Sequence, residues 1–204
     1  MALRKFSSWL KGGPKIKEVV YKLDVFTRRL EYQKKQLERE ARKNREDAKK
    51  YRLRGNAEGA KMYAEHYIRY NKWALATDSY RLKIQGMVIR LRQSESVADV
   101  ASTISGVREA LKGLEEAVKL PEDIAKNAEE IDSIMQEFDV RQDVLEAGME
   151  KMTVSTEVTS QEVAATISEI DQEISVETGV KLPSAPSGKV EELEKDIKKL
   201  KEEL

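Results

Sequence analysis

The eleven N-terminal residues carry the most specific chemical pattern in the chain. Placed on a helix at 100° per residue, their apolar side chains share one arc and their polar side chains share the other. A short basic helix with Trp, Phe and Leu on one side is typical of helices that lie in the interface of an anionic membrane. The sequence therefore predicts a membrane-binding helix over residues 1–11. Its predicted contacts are Leu3, Arg4, Lys5, Phe6, Trp9, Leu10 and Lys11. The alternative is that this helix packs back on the rest of the chain.

The side chains needed for most enzymatic chemistry are missing. The chain has no cysteine and one histidine, His66. That composition excludes disulfides, thiolate nucleophiles, Cys-based zinc sites, His-pair metal sites and a conventional catalytic triad. The carboxylates are spread along helix faces and are not gathered around a base or ligand. We expect a protein that is not an enzyme and uses no cofactor or metal.

Two C-terminal segments have the composition of a linker and a short helix. Residues 177–188 are rich in Pro, Ser and Gly, which predicts a linker. Within it, prolines keep residues 180–186 extended, a form that can lie in a groove between helices or act as a spacer. Residues 189–204 form a charged helix too short to be stable alone, so it folds against a partner or frays. Its apolar face is Leu193, Ile197, Leu200 and Leu204.

The long middle of the chain has the pattern of a helical hairpin. Pro14 and Pro121 bracket 106 residues without another proline, so nothing there forces a helix to stop. Apolar residues recur at steps of three and four from Ile16 to Tyr51, and a turn signal follows at residues 54–57. A second pattern begins near Ala57. Together they predict an antiparallel hairpin whose arms each reach about 55–60 Å.

The second arm supplies a predicted core face that turns into a strict heptad. The arm also contains an aromatic patch. Its helical spacing favours a place in the hairpin core and at its rim over a platform on which nucleic-acid bases stack. This patch consists of Tyr63, Tyr67, Tyr70, Trp73 and Tyr80. The remaining predicted core residues are Ala74, Leu75, Leu82, Met87, Val88 and Leu91, followed by the heptad Val97, Val100, Ile104, Val107, Leu111, Leu114 and Val118.

Beyond Pro121 the predicted helices are shorter and acidic. They cover about 122–138, 140–152 and 160–176. The last is amphipathic, with Thr159 or Ser160 as its N-cap. Its apolar face, the predicted polymer contact, is Val163, Ile167, Ile170 and Ile174. No strand pattern occurs, which predicts an all-α fold. No membrane span or secretory signal is apparent, so we expect a cytosolic protein.

The charges divide the chain into two opposite halves. The whole chain is neutral, with 37 basic and 37 acidic side chains. Residues 1–110 contain 26 of the basic and 13 of the acidic side chains, and residues 111–204 contain 11 and 24. Such halves can attract each other within one fold, or the basic half can bind an anionic partner. A helical protein whose charges only keep its surface solvated would not need basic and acidic residues to be separated between the two halves in this way.

Taken together, these features resemble the ESCRT-III family, which comprises the charged multivesicular body proteins and their archaeal cell-division relatives. The resemblance covers nearly the whole chain and is closest to a short archaeal paralogue without a winged-helix domain. It rests on the basic hairpin, the acidic helices after it, the N-terminal helix and the C-terminal linker. The stretch 81–101 is similar to the family's second-helix pattern. That stretch contains Met87, Val88 and Leu91, followed by Val97, Ala98, Val100 and Ala101.

The resemblance also implies sites for an ATPase partner at the C-terminus. Residues 180–186 are similar to the proline-type motif that binds the MIT domain of the ESCRT AAA ATPase, with Lys181 replacing the usual acidic residue. The terminal helix is similar to the helical MIT motif, with Asp196 at a position that is usually basic. The implied contacts are Val180, Leu182, Pro183, Pro186, Leu193, Ile197 and Leu200.

The resemblance implies a division into four parts and a function in membrane remodelling. The parts are a membrane helix at 1–11, a helical core at 14–176, a linker at 177–188 and a terminal helix at 189–204. The implied protein polymerises with itself and with paralogous subunits on the inner face of the cell membrane. It constricts or severs necks in cell division or vesicle release.

Two rival functions do not need a membrane. A coiled-coil nucleic-acid-binding protein would use the basic hairpin, but 13 acidic residues accompany its basic ones and no base-reading helix is apparent. The other rival is a static coiled-coil adaptor. The N-terminal amphipathic helix separates the membrane function from this adaptor.

Overall fold

A computed structural model describes residues 14–94, 97–136 and 155–179. Five helices make up most of this part of the chain, and no strand occurs in it. They are α1 (Pro14–Leu53), α2 (Ala57–Gln93), α3 (Val97–Ala117), α4 (Glu122–Gln136) and α5 (Ser160–Thr178). The all-α prediction is confirmed. The predicted helix over 140–152 lies outside the described residues.

The turn between α1 and α2 forms where the sequence predicts it. Gly55 has a φ of 74°, a left-handed conformation that glycine adopts without a steric penalty. Its backbone N–H donates to the carbonyl of Arg52 at 3.0 Å. Asn56 then accepts from the backbone N–H of Gly59 through its side-chain oxygen at 2.8 Å, which caps α2. The two helices contain 40 and 37 residues, or about 60 and 55 Å.

The described residues fall into two compact units. The first contains residues 14–39 and 70–157, and the second contains residues 40–69 together with those from 158 onward. In the first unit, α1 and α2 run antiparallel, as ion pairs from Lys34 to Asp78 (3.0 Å) and from Arg92 to Asp24 show.

The core of the first unit is built by four helices. Helices α3 and α4 pack as a second antiparallel pair, joined by Arg108 and Asp132 at 2.8 Å. Lys22 on α1 forms an ion pair with Glu130 on α4. The largest fully buried side chains include Leu23, Phe26, Leu30, Ile84, Val88, Val107, Leu114, Val118 and Met135. The predicted heptad from Val100 to Val118 is buried in this cluster and is therefore confirmed, apart from Val97, whose side chain is not described.

A close helix approach in this core depends on glycine. A Cβ at Gly113 of α3 would lie 2.8 Å from the Tyr80 hydroxyl oxygen on α2 and about as near to the ring. Tyr80 itself is buried, and burial raises the pKa of its hydroxyl. The absence of a side chain at Gly113 therefore lets α3 and α2 pack at this level.

Two residues of the predicted core face are on the wrong side of α2. Leu75 is 59% exposed and Leu82 is 54% exposed. The core face of this helix is set by Ala76, Tyr80 and Ile84, which are nearly inaccessible. Because α2 carries apolar residues on both faces, a count of apolar steps cannot decide which face is buried.

Candidate functional site

Helix α5 lies on the second unit's helical hairpin. Its apolar face is buried there, with Ile170 and Ile174 fully inaccessible and Val163 and Ile167 nearly so. The hairpin side of this cluster consists of Ala48, Ala60, Ala64 and Ile68, rimmed by Tyr51, Tyr63 and Tyr67. Small alanines on α1 and α2 leave a shallow groove, and the isoleucines of α5 fill it.

Three ion pairs join α5 to α1 around this apolar contact. Arg52 donates to both carboxylate oxygens of Asp171, at 2.6 and 2.7 Å. Arg45 makes the same two-pronged contact with Glu173, one bond measuring 2.8 Å. Lys49 meets Glu177 at 2.6 Å. Paired guanidinium–carboxylate contacts fix the direction of approach as well as adding energy, so they set the register of α5 on the hairpin. We name these pairs and the apolar cluster the α5 contact.

The ion pairs shift the titration of their members. The hydrogen bond from Arg45 lowers the pKa of Glu173, and the same bond raises the pKa of Arg45. The hydrogen bond to Asp171 likewise raises the pKa of Arg52. The Arg45 guanidinium also lies 5.9 Å from the centre of the Tyr67 ring, within reach of a cation–π contact. The charged forms of Glu173, Arg45 and Arg52 therefore favour the docked state of α5 at neutral pH.

Both ends of α5 are capped by residues close to them in the sequence. Thr159 accepts from the backbone N–H of Glu162 at 3.3 Å, and the Glu162 carboxylate accepts from the Thr159 backbone N–H at 2.9 Å. This reciprocal capping box confirms Thr159 as the N-cap. Gly179 ends the helix in a left-handed conformation, with φ at 70°. The helix therefore has fixed limits within the chain.

A second surface stands out on α2 in the first unit. Leu75, Leu82 and Ile89 are seven residues apart and point away from the core, and each is close to half exposed or more. We name these three the outward stripe. A Cβ built at Gly86, beside Leu82 and Ile89, would meet nothing within 4 Å, so the surface there is open.

The charge around the outward stripe is strongly positive. Between residues 70 and 93 the only acidic side chain is Asp78. Burial would raise the pKa of Asp78, but hydrogen bonds from Lys34 and Arg81 lower it below its ordinary value. Lys83 and Arg90 each follow a stripe residue directly and so lie on one flank of the stripe.

An opposite charge gathers on α3 and α4. Burial raises the pKa of the Glu115 carboxyl, and the nearby carboxylates of Glu129 and Asp132 raise it further. Within the first unit, an acidic surface therefore sits on α3 and α4, and a basic one on α2. The division of charge seen in the sequence thus begins inside one unit.

The comparison with protein families identifies the chain. A family model described as Snf7 matches residues 18–190. The chain belongs to the Snf7 family. This is the ESCRT-III family, so the family prediction is confirmed. No curated protein and no solved structure matches the chain.

Membership of the Snf7 family carries general properties. Its members are subunits of membrane-remodelling polymers and assemble with paralogous subunits. They are structural filament proteins and not enzymes, and they act at membranes as peripheral proteins. None of the described helices is both long and apolar enough to span a membrane. Within the described ranges no three metal-ligating side chains converge.

Only one of the three predicted sets of contact residues lies within the part of the chain that the structure describes. The predicted membrane contacts at Leu3–Lys11 and the predicted ATPase contacts between Val180 and Leu200 lie outside the described residues. The predicted polymer contact is described: Val163, Ile167, Ile170 and Ile174 bind the same chain's hairpin. Their use between subunits stays a prediction.

Sequence reasoning missed the hairpin side of the α5 contact. The pairs of Arg45, Lys49 and Arg52 with acidic residues more than 110 positions away leave no local trace. The only available signal was the spacing, because Arg45 and Lys49 are four residues apart and so are Glu173 and Glu177. Residues four apart share a helix face, so each pair could be recognised but not matched.

Proposed function

We propose that this chain is a filament subunit that polymerises on anionic membranes and constricts or severs membrane necks. An AAA ATPase with an MIT domain would dismantle the filament. The setting would be cell division or vesicle release, on the inner face of the cell membrane and at the division site of an archaeal-type cell. The α5 contact is the observation that supports this proposal most. An amphipathic helix held by an apolar cluster and by ion pairs can bind its own hairpin or the same surface on a neighbouring copy.

The α5 contact provides a means of controlling assembly. While α5 binds its own hairpin, the surface that a neighbouring α5 would need is occupied. Release of α5 frees both halves of the contact together, so one subunit can offer its helix and accept another. Reuse of an intrachain contact between chains is a low-cost route to oligomers, because the surfaces already fit.

Membrane attachment is proposed to use the N-terminal helix together with the basic half of the chain. Burial of the Phe6 and Trp9 rings would supply a few kcal/mol. Each nearby Lys or Arg would add on the order of 1 kcal/mol at an anionic leaflet. The rings act at short range, whereas the charges are screened beyond about 8 Å at physiological salt.

The membrane function is tested by pelleting with anionic liposomes at physiological salt. Changing Phe6 and Trp9 to Glu is expected to abolish or strongly weaken pelleting while leaving helicity unchanged. The matched control changes Tyr21 and Tyr32 to Glu, since these exposed aromatic side chains lie on α1. Unchanged pelleting of the Phe6/Trp9 variant would exclude the N-terminal helix as the anchor.

Recruitment of the ATPase is proposed to depend mainly on the proline stretch. Pro183 and Pro186 restrict the unbound chain, so less conformational entropy is lost on docking. Small apolar contacts of this kind suit a micromolar affinity, about −8 kcal/mol. Leu182→Asp is expected to weaken binding to an MIT domain more than Leu200→Asp does, as measured by calorimetry. The reverse order would assign the site to the terminal helix.

A further inference from the structure

Two arginines on α1 stand on either side of the buried alanine that α5 covers. Arg45 and Arg52 are seven residues apart on one face of α1, a rise of about 10.5 Å along its axis. Ala48 lies between them and is fully buried in the apolar cluster that it shares with α5. The rise between the arginines matches the diameter of a helix with its side chains, about 10–12 Å. We name Arg45 and Arg52 the arginine clamp.

The partners of the arginine clamp are neighbours along α5 but lie on opposite flanks of it. Arg52 binds Asp171 and Arg45 binds Glu173, each through two hydrogen bonds. At 100° per residue the two carboxylates are about 200° apart, and the apolar face with Ile170 and Ile174 lies between them. Their separation along the axis of α5 is only about 3 Å. Helix α5 therefore crosses α1 between the two arginines, with one carboxylate on each flank.

The apolar part of the α5 contact has little power to choose between helices. Ala48, Ala60 and Ala64 offer only small side chains to α5. Hydrophobic burial is not directional, so another helix with aliphatic residues at the same spacing would fill the same groove. The pair of Lys49 with Glu177 adds little, because the Glu177 side chain is 60% exposed.

The arginine clamp is able to choose, because docking removes its charges from water. Arg52 is 8% exposed and the Arg45 side chain is 22% exposed. The Arg45 guanidinium also lies 5.9 Å from the centre of the Tyr67 ring on α2, so the hairpin itself helps to position it. A helix without the two carboxylates would cover these cations without supplying the hydrogen bonds that offset their desolvation. A helix with cations in the same positions would add repulsion.

We propose that the arginine clamp selects which helix this hairpin binds. It accepts a helix with two carboxylates two positions apart, one on each flank of the apolar face. It rejects a helix that has the same apolar face but neutral or basic side chains at those positions, since specificity is a difference between two affinities. The α5 of a second copy of this chain meets the criterion through its own Asp171 and Glu173. Selection between chains rests on the proposed exchange of α5 between subunits.

Charge reversal on one side of the contact at a time tests this selection in full-length chains. The acidic-hairpin chain carries Arg45→Glu and Arg52→Asp, and the basic-helix chain carries Asp171→Arg and Glu173→Arg. In each of these chains the hairpin and α5 have like charges at the clamp. A chain with all four substitutions has opposite charges there again. Hydrogen exchange of the backbone amides in residues 160–178 measures the docking of α5 in every case.

Each chain reversed on one side is expected to release its own α5. Exchange in residues 160–178 should be at least about tenfold faster in these two chains than in the wild type, because the charge-assisted hydrogen bonds are replaced by repulsion. The chain with all four substitutions should return to within a few fold of the wild-type rate. Recovery of that kind requires the paired charges to act on each other.

A mixture of the acidic-hairpin chain and the basic-helix chain tests selection between chains. In the mixture, the unchanged α5 of the first chain meets the unchanged hairpin of the second, and the basic α5 meets the acidic hairpin. We expect exchange in residues 160–178 to slow severalfold towards the wild-type rate. We also expect a tag on one chain to retain the other chain severalfold better than it retains an untagged copy of its own kind.

A matched control adds positive charge to α5 away from the clamp. Ser168→Arg with Gln172→Arg places two arginines on the outer face of α5, where both side chains are exposed. This chain should keep the wild-type exchange rate. Circular dichroism checks the helicity of every variant. Where a double reversal does not fold, Arg52→Asp and Asp171→Arg, singly and together, give the same test on one flank.

Wild-type protection of α5 in the basic-helix chain would overturn the proposal, since the apolar face would then be sufficient for docking. Failure of the chain with all four substitutions to recover would also overturn it. The same holds if the two reversed chains pair no better with each other than with themselves, or if the outer-face control loses protection equally. These assays contain neither liposomes nor an ATPase, so their failure is distinguishable from failure of the proposed membrane function, which liposome pelleting measures.

Discussion

At the scale of single residues, the α5 contact is held by ion pairs of unequal exposure. The Arg52 and Asp171 side chains are 9% and 16% exposed, whereas Glu177 in the Lys49 pair is 60% exposed. A sheltered pair is weakly screened, and loss of one partner removes the charge-assisted hydrogen bonds between the two. An exposed pair contributes little. Loss of the Arg52–Asp171 pair should therefore weaken the α5 contact more than loss of the Lys49–Glu177 pair.

Asp171→Asn is expected to destabilise the α5 contact by about 1–3 kcal/mol, since Arg52 stays charged while the carboxylate that accepts two of its hydrogen bonds becomes a neutral amide. Hydrogen exchange of the backbone amides in residues 160–178 measures this as faster opening of α5. The matched control is Glu177→Gln, which should change the exchange much less. Equal effects of the two variants would contradict the ranking by exposure.

Glu173 gives the α5 contact a defined dependence on pH. The hydrogen bond from Arg45 lowers the pKa of Glu173 in the folded protein. The pair's contribution is therefore present above the ordinary pKa of a glutamate and is lost as the pH falls through the lowered one. The free energy of unfolding is expected to differ between the wild type and Glu173→Gln at pH 7, and the difference should vanish in acid.

A neighbouring glutamate serves as the control for this pH dependence. Glu169 is exposed on α5 and acts on Arg45 through its charge, whereas the hydrogen bond to Arg45 comes from Glu173. In a Glu169→Gln background, the pH-dependent difference made by Glu173→Gln should persist, because the hydrogen bonds between Arg45 and Glu173 remain. A wild-type profile matching that of Glu173→Gln from pH 7 downward would show that the Arg45 bond does not stabilise the fold.

At the scale of elements, we expect substitution by alanine to have opposite effects on stability at two glycines that lie within helices. Gly→Ala in a helix ordinarily stabilises by about 0.5–1 kcal/mol. At Gly113 the new Cβ would lie 2.8 Å from the buried Tyr80 hydroxyl oxygen, and at Gly86 it would meet nothing within 4 Å. We expect Gly113→Ala to destabilise by about 1–3 kcal/mol, because α3 must move away from α2.

Chemical denaturation of the chain ending at residue 188 measures both glycine variants without the terminal segment. Gly86→Ala should raise the midpoint, and Gly113→Ala should lower it. If Gly113→Ala also raised the midpoint, the close packing of α3 on Tyr80 would be wrong.

The elements themselves could be predicted from the sequence because each has its own local signals. The α1–α2 turn follows from Gly55 and Asn56, and the start of α5 follows from Thr159 and Glu162. What packs against each helix could not be predicted. The apolar spacing predicts Leu75 in the core because α2 has apolar residues on two faces, and only tertiary packing decides which face is buried.

The α5 contact, too, could be predicted only in part from the sequence. The apolar face of α5 was evident from the steps between its isoleucines, but its partner on the hairpin was not. The groove is made of small residues, Ala48, Ala60 and Ala64, which carry no distinctive periodic signal. The cations that complete the contact belong to a helix with many other cations. Spacing along α5 therefore shows which of its sides is buried and leaves open what covers that side.

At the scale of the whole molecule, the opposite charges of the two halves become specific contacts. The basic residues of α1 meet the acidic residues of α5 in the second unit, and Lys22 of α1 meets Glu130 of α4 in the first. Each contact that holds the acidic half in place neutralises part of the basic half. Release of the acidic half would therefore increase the positive charge that an anionic membrane can attract.

Assembly of the chain with and without residues 160–204 tests this account most directly. Both chains are mixed with anionic and with neutral liposomes, and filaments are scored by pelleting, light scattering and negative-stain imaging. We predict that the full chain binds only anionic liposomes, and that the truncated chain forms filaments on them at a lower protein concentration. If the truncated chain stayed monomeric where the full chain assembles, α5 would be a polymer contact alone and would not control assembly. If neither chain bound liposomes or formed filaments, the proposed membrane-remodelling function would be wrong.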